Sequence, residues 1–76
     1  MIQAYVLIQT DVGVGAQVAR EAGNVAGVTV SNMVTGPYDV VARAEASDMD
    51  TLSMLIDKIQ EIRGVTRTLT CPVLSL

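Results

Sequence analysis

The residues best suited to chemistry lie together at Gly36, Pro37, Tyr38 and Asp39, just after Val34-Thr35 and before Val40-Val41. Pro37 fixes its own φ and lacks a backbone donor, while Gly36 supplies backbone freedom and close approach. The pattern predicts a strand, a tight turn and a second strand, with the Asp39 carboxylate just past the bend. Free backbone amides beside one carboxylate suit the charged end of a small polar ligand. The same residues also fit an ordinary hairpin in which Asp39 satisfies turn amides.

Nothing else in the chain is equipped for catalysis. Histidine is absent, which removes imidazole acid–base chemistry, Ser-His-Asp triads and most transition-metal sites. Cys71 is the sole cysteine, so an internal disulfide and any Cys-x-x-Cys redox or metal site are excluded. A lone thiol in an apolar strand reads as a small core residue. Asp39 with Arg43 is too thin a set for proton transfer. No catalytic residue, metal ligand or cofactor is assigned.

The scaffold holding these residues is bounded by composition. Seventy-six residues make one domain, residues 1–76, near the lower limit for folding unaided. A chain this short buries only about 60% of the surface its unfolded form exposes. Yet half its residues are hydrophobic, and a mean hydropathy of +0.43 is high for so small a domain. Apolar surface beyond one thin core marks an interface. The net charge is −3, and the five basic residues, Arg20, Arg43, Lys58, Arg63 and Arg67, are scattered. With no Phe or Trp and two Tyr, the chain offers neither a phosphate-binding patch nor stacking platforms, which argues against direct nucleic-acid binding. The apolar run from Ala4 to Ile8 is far below the ~20 residues a spanning helix needs. The N-terminus lacks a signal peptide's basic region and cleavage site, so the expected location is cytoplasmic.

Ile2 to Gln9 reads as a strand with Ile2, Ala4, Val6 and Ile8 on a wholly apolar face. Thr10 or Asp11 can cap the following helix, in which Val14, Val18, Ala19 and Ala22 recur at helical spacing. Gly23-Asn24 reads as a left-handed stop. Val28 to Thr35 forms the second strand, with Val28, Val30, Asn32 and Val34 sharing a face, and Tyr38 to Ala46 the third. Ser47 and Asp50 resemble a capping box. Met49, Leu52, Leu55, Ile56, Ile59 and Ile62 then mark the clearest helix, ended by Gly64 at its C′ position. In the last strand Val65, Arg67, Leu69, Cys71 and Val73 oppose Thr66, Thr68 and Thr70, with Pro72 near an edge.

The order β-α-β-β-α-β, two similar β-α-β halves, predicts an α+β ferredoxin-like fold: a four-stranded antiparallel sheet with both helices on one face. The other face, carrying Tyr5 and Leu7, is left without cover. A second copy is expected there, packed sheet to sheet about a two-fold axis as a dimeric α/β barrel.

Val34-Thr35-Gly36-Pro37-Tyr38-Asp39-Val40-Val41 and Gly64-Val65-Thr66-Arg67-Thr68-Leu69-Thr70 resemble the effector-binding (RAM) domain of the Lrp/AsnC transcriptional regulators. Members carry a Val-(Thr/Ser)-Gly-x-x-Asp turn after the second strand and a Gly-Val-x-x-(Thr)-x-Thr start to the last. The resemblance spans about residues 2 to 74. Full-length members place a DNA-binding helix-turn-helix domain first, whereas this sequence begins at the first strand, so it resembles the stand-alone form. The resemblance implies a homodimer assembling to an octamer or decamer, with an amino-acid effector held between subunits. Carried over by position, Gly36, Pro37, Tyr38 and Asp39 would surround that effector. Asp39 would face its ammonium and turn amides its carboxylate. Met33 and Thr35 would contribute from the second strand, and Thr68 and Thr70 from the last, or Leu69 and Cys71 if that strand faces the other way.

The function expected is amino-acid sensing and oligomerisation. One alternative is an ACT-like regulatory subunit using the glycine-containing turn Asp11-Val12-Gly13-Val14-Gly15. Another is a partner forming mixed oligomers with a full-length Lrp-like regulator.

Overall fold

The computed structural model describes residues 1–74. Its elements are β1 (Ile2–Thr10), α1 (Gly15–Gly23), β2 (Val28–Met33), β3 (Val40–Ala46), α2 (Met49–Gln60) and β4 (Val65–Pro72). All strand pairs are antiparallel, in the order β2-β3-β1-β4. This is the β-α-β-β-α-β architecture expected.

The core lies between the sheet and the two helices. Ala4, Val6 and Ile8 of β1 and Val40, Ala42, Ala44 and Ala46 of β3 are buried on one sheet face. Val18 and Ala22 of α1 and Leu52, Leu55 and Ile59 of α2 pack against them. Five alanines in this core let the helices lie close to the strands, and closeness gives a thin core its dispersion contacts. Side chains between the buried ones face away from the helices. Tyr5, Val30 and Leu69 are 42%, 48% and 43% exposed, so this face lacks cover within one subunit.

The two β-α-β halves repeat in detail. Gly27-Val28-Thr29 and Gly64-Val65-Thr66 follow α1 and α2 at equivalent places. Val28 N donates to Val25 O at 3.0 Å, and Val65 N to Ile62 O at 3.1 Å. Gly27 and Gly64 take φ of +96° and +101°, which L side chains rarely adopt. Each glycine is followed by a bulge. The register slips between Val28 and Val30 opposite β3, and at Gln9/Thr10 opposite Val65 and Arg67. The extra residues, Thr29 and Thr66, donate their hydroxyls to Arg43 O at 3.2 Å and Gln9 O at 3.1 Å.

The bulges overturn two expected strand faces. Period-2 alternation would unite Val28 with Val30 and Val65 with Arg67, but one inserted residue flips everything beyond it. Val28 and Val65 therefore pack on the core. Ser31 then shares the core side with them, donating to Ala19 O at 2.8 Å, while Val30 and Leu69 lie 48% and 43% exposed.

Local signals differ in five places. The N-cap of α2 is Asp48, not Ser47, because the Asp48 carboxylate accepts from Thr51 N at 2.8 Å. Met49 is exposed, so the buried stripe of α2 starts at Leu52. Helix α1 has no side-chain cap from Thr10 or Asp11. Its C-cap Asn24 is right-handed at φ −90°, and the reversal waits for Gly27. Likewise α2 ends at Gln60, and the chain makes another turn before Gly64.

Candidate functional site

The expected tight hairpin is instead a six-residue connection, residues 34–39, because β2 ends at Met33 and β3 begins at Val40. Val34 N donates to Asp39 O at 2.9 Å, closing the loop at its base. Thr35, Gly36 and Pro37 are exposed, and Tyr38 and Asp39 are half-buried. Two bonds fix Asp39 against the end of β1. Its amide donates to Ile8 O at 2.9 Å, and its Oδ2 accepts from Thr10 N at 2.8 Å. The pairing Ile8↔Val40 brings these groups together by continuing the β1–β3 ladder one step past its last paired residues.

Asp39 thereby reaches a cleft of about 300 Å³ at this end of the sheet. One wall is the β1–α1 connection and the first turn of α1, from Thr10 to Ala16; the other is Met33, Val34 and Asp39. Asp11 N donates to Gly64 O at 2.8 Å, pinning the connection to the start of β4. The Met33 side chain lies over Gly15, where an added Cβ would sit 3.3 Å from Met33 Cε. Two acidic residues, Asp11 and Asp39, thus line the cleft alongside the start of α1. That helix has Val14 as its N-cap, with no side-chain cap and no acidic residue in its first turn. Its first amides lack intrahelical partners and carry the positive end of the helix dipole. Anion-attracting and cation-attracting groups therefore meet in one small cleft.

The cleft gathers Met33 and Asp39 from the residues singled out by sequence. Gly36, Pro37, Tyr38 and Thr35 belong to the adjoining connection without forming its walls. Thr68 and Thr70 stand apart. Both face the helices, Thr68 accepting from Gln60 Nε2 at 2.8 Å and Thr70 lining a groove between α2 and β4. Leu69 and Cys71 lie on the opposite, uncovered face beside Leu7 and Tyr5. Asp11 to Gly15, considered above only as a rival ligand turn, forms a wall of the same cleft as Asp39. The paired glycines Gly13 and Gly15 were the signal for it.

A larger groove of about 450 Å³ runs between residues 24–26 and α2, but Lys58 is its only ionisable side chain. Apolar walls with a single cation give a small polar ligand no orientation. Among the described residues there is no cluster of three metal-ligating groups. No helix among them is long and apolar enough to cross a membrane.

Known proteins share both pattern and fold. The model of a family described as the Lrp/AsnC ligand binding domain matches residues 3–76. An uncharacterised HTH-type transcriptional regulator of Pyrococcus horikoshii is 34% identical over 71 residues, covering 88% of this chain and 47% of the regulator. The chain thus spans about half the length of the curated relatives it matches first. A Thermus thermophilus protein of known structure is 30% identical, with a TM-score of 0.91 over 100% of this chain and 96% of its own. A Neisseria meningitidis transcriptional regulator, solved in complex with L-Met, has the same fold, with a TM-score of 0.84 and 21% identity over 97% of this chain and 50% of its own. With the family's pattern running through residues 3–76, this chain belongs to the Lrp/AsnC ligand-binding domain family.

Proposed function

We propose that this domain senses an amino acid and assembles with copies of itself, the ligand lying at the Asp39 cleft and completed by a neighbouring subunit. One observation carries the reading: the Asp39 carboxylate and the uncapped start of α1 face a single cleft. A zwitterion needs an acceptor for its ammonium and donors for its carboxylate, a short distance apart. Asp39, helped by Asp11, supplies the first; the α1 amides supply the second. Met33, Val34 and Val12 give an apolar wall for the side chain, a match for a ligand such as L-methionine, which the Neisseria regulator holds. The exposed Thr35-Gly36-Pro37 and half-buried Tyr38 of a neighbouring subunit would close the cleft. Thr68 and Thr70 are left out of this reading, being turned towards α2.

A second reading is favoured by the half-length match to HTH-type regulators. In it, the domain joins mixed oligomers with a full-length regulator through the same uncovered sheet. The ACT-like alternative no longer differs in place, because its ligand turn and Asp39 border one cleft. In this second form the domain would act through a DNA-binding partner, its scattered basic residues offering no nucleic-acid surface of their own.

Calorimetric titration of the purified protein with L-methionine, then with the other nineteen amino acids, tests the reading. Saturable heat with at least one supports it. Flat titrations with all twenty would remove ligand sensing and leave assembly alone.

A further inference from the structure

We infer that Arg43 and Glu45 are a self-recognition device, each pairing across the uncovered sheet with the other's counterpart in a second copy of this chain. This rests on the reading that a second copy covers that face. Arg43 sits on β3 opposite Tyr5, near the middle of the face. Its Nη2 donates to Gln3 Oε1 at 3.0 Å, and its Cζ lies 5.8 Å from the Tyr5 ring centroid. Its Nε is buried and has no hydrogen-bond partner. Glu45, two residues along the same face and opposite Gln3, is reached by Gln3 Nε2 at 3.5 Å. The cation and anion are therefore joined only through Gln3, a neutral relay, and each keeps hydrogen-bonding capacity to spare.

Around them on this face lie Tyr5, Leu7, Val30, Val41 and Leu69, with a further cation, Arg67, only at the end of β4 opposite Gln9. Covering it with an uncharged partner surface would strip water from one guanidinium and one carboxylate without pairing them, at heavy cost. A second copy avoids this. About a two-fold axis, residue i meets j while j meets i, so adjacent unlike charges are the simplest pattern that is its own complement. Arg43 then meets the partner's Glu45, and the reciprocal pair forms at the same time. The charges thereby set the register of two sheets whose aliphatic residues alone would slide, and they reject faces lacking the pattern.

Charge reversal separates this from simple hydrophobic association. R43E puts carboxylates at both positions of the pair, and E45R puts guanidinium groups at both. By sedimentation and native mass spectrometry, each alone should self-associate about thirtyfold or more weakly than the unaltered chain. Mixed in equal amounts, the two should form heterodimers nearly as tight as the natural homodimer, and the double variant R43E/E45R should regain self-association. Circular dichroism of the mixture and of the double variant shows whether the substitutions spare the fold. Homodimers of both single variants, with statistical mixing, would overturn the charge pairing while leaving the sheet-to-sheet assembly intact. An unaltered chain that stays monomeric at micromolar concentration would overturn both.

Discussion

Asp39 Oδ2 is held by the Thr10 amide at 2.8 Å, and among the described residues Oδ1 has no hydrogen-bond partner, so one oxygen positions the loop and the other is open to a ligand cation. The substitution Asp39→Asn separates the two roles, since the amide oxygen can still accept from Thr10 while the charge is lost. Thermal midpoint should hold and amino-acid affinity should fall about tenfold or more by calorimetry, given that a charge-assisted bond contributes about 1.5–3 kcal/mol. Glycines divide in a similar way. At Gly27 an added Cβ would sit 2.5 Å from Leu55 Cδ1 and 2.9 Å from the Glu45 carbonyl oxygen, at φ +96°. At Gly64 the nearest atom is Val14 Cγ2 at 2.8 Å, a side-chain end. A methyl group can yield; a carbonyl inside a sheet cannot. Gly27→Ala should therefore lose about 2 kcal/mol or more in urea denaturation, and Gly64→Ala measurably less. Sequence marked Gly64 as a helix stop but did not single out Gly27, and only the distance to the β3 carbonyl ranks them.

The start of α2 shows how a helix uses a single charge. Thr51 N, and secondarily its hydroxyl, hydrogen-bonds the exposed Asp48 carboxylate and lowers its pKa below the ordinary 3.8. Because the folded value is depressed, the stabilisation is full above pH 3.8 and disappears as pH falls through the lowered value. Asp48→Ala should lower the urea midpoint at pH 7, and its gap from the unaltered chain should close in acid. Asp48→Asn should keep most of the cap at neutral pH, asparagine being a comparable N-cap, and lose the pH dependence. The sequence pointed to Ser47 because a capping box depends on residue spacing, and Ser47-Asp50 and Asp48-Thr51 both satisfy that spacing. Helix α1 is the opposite case. With its first turn uncapped and bordering a cleft, its free amides are the donors that the proposed ligand carboxylate would take and a weak point for the isolated helix.

For the molecule as a whole, the uncovered sheet decides behaviour. Leu69 is 43% exposed in one subunit, so Leu69→Glu should change the unfolding free energy of the isolated subunit by no more than about 0.5 kcal/mol. If a second copy covers the face, the same substitution buries a carboxylate in an apolar contact, and light scattering should report a fall to monomer mass. How much of this was written in the chain depends on the range of the interaction. Element order, the apolar stripe of α2 and the two faces of β1 and β3 were legible, because period-2 and helical repeats are local and these strands run without a bulge. The carboxylate at Asp39 and the glycine turn at Asp11-Gly15 were legible too, though as competing sites. That they border one cleft follows from pairing β1 with β3, a contact between residues some thirty positions apart that no local pattern encodes. The inserted Thr29 and Thr66 reversed the faces of β2 and β4 for the same reason: a bulge is a property of two strands in register, and one strand alone carries no sign of it.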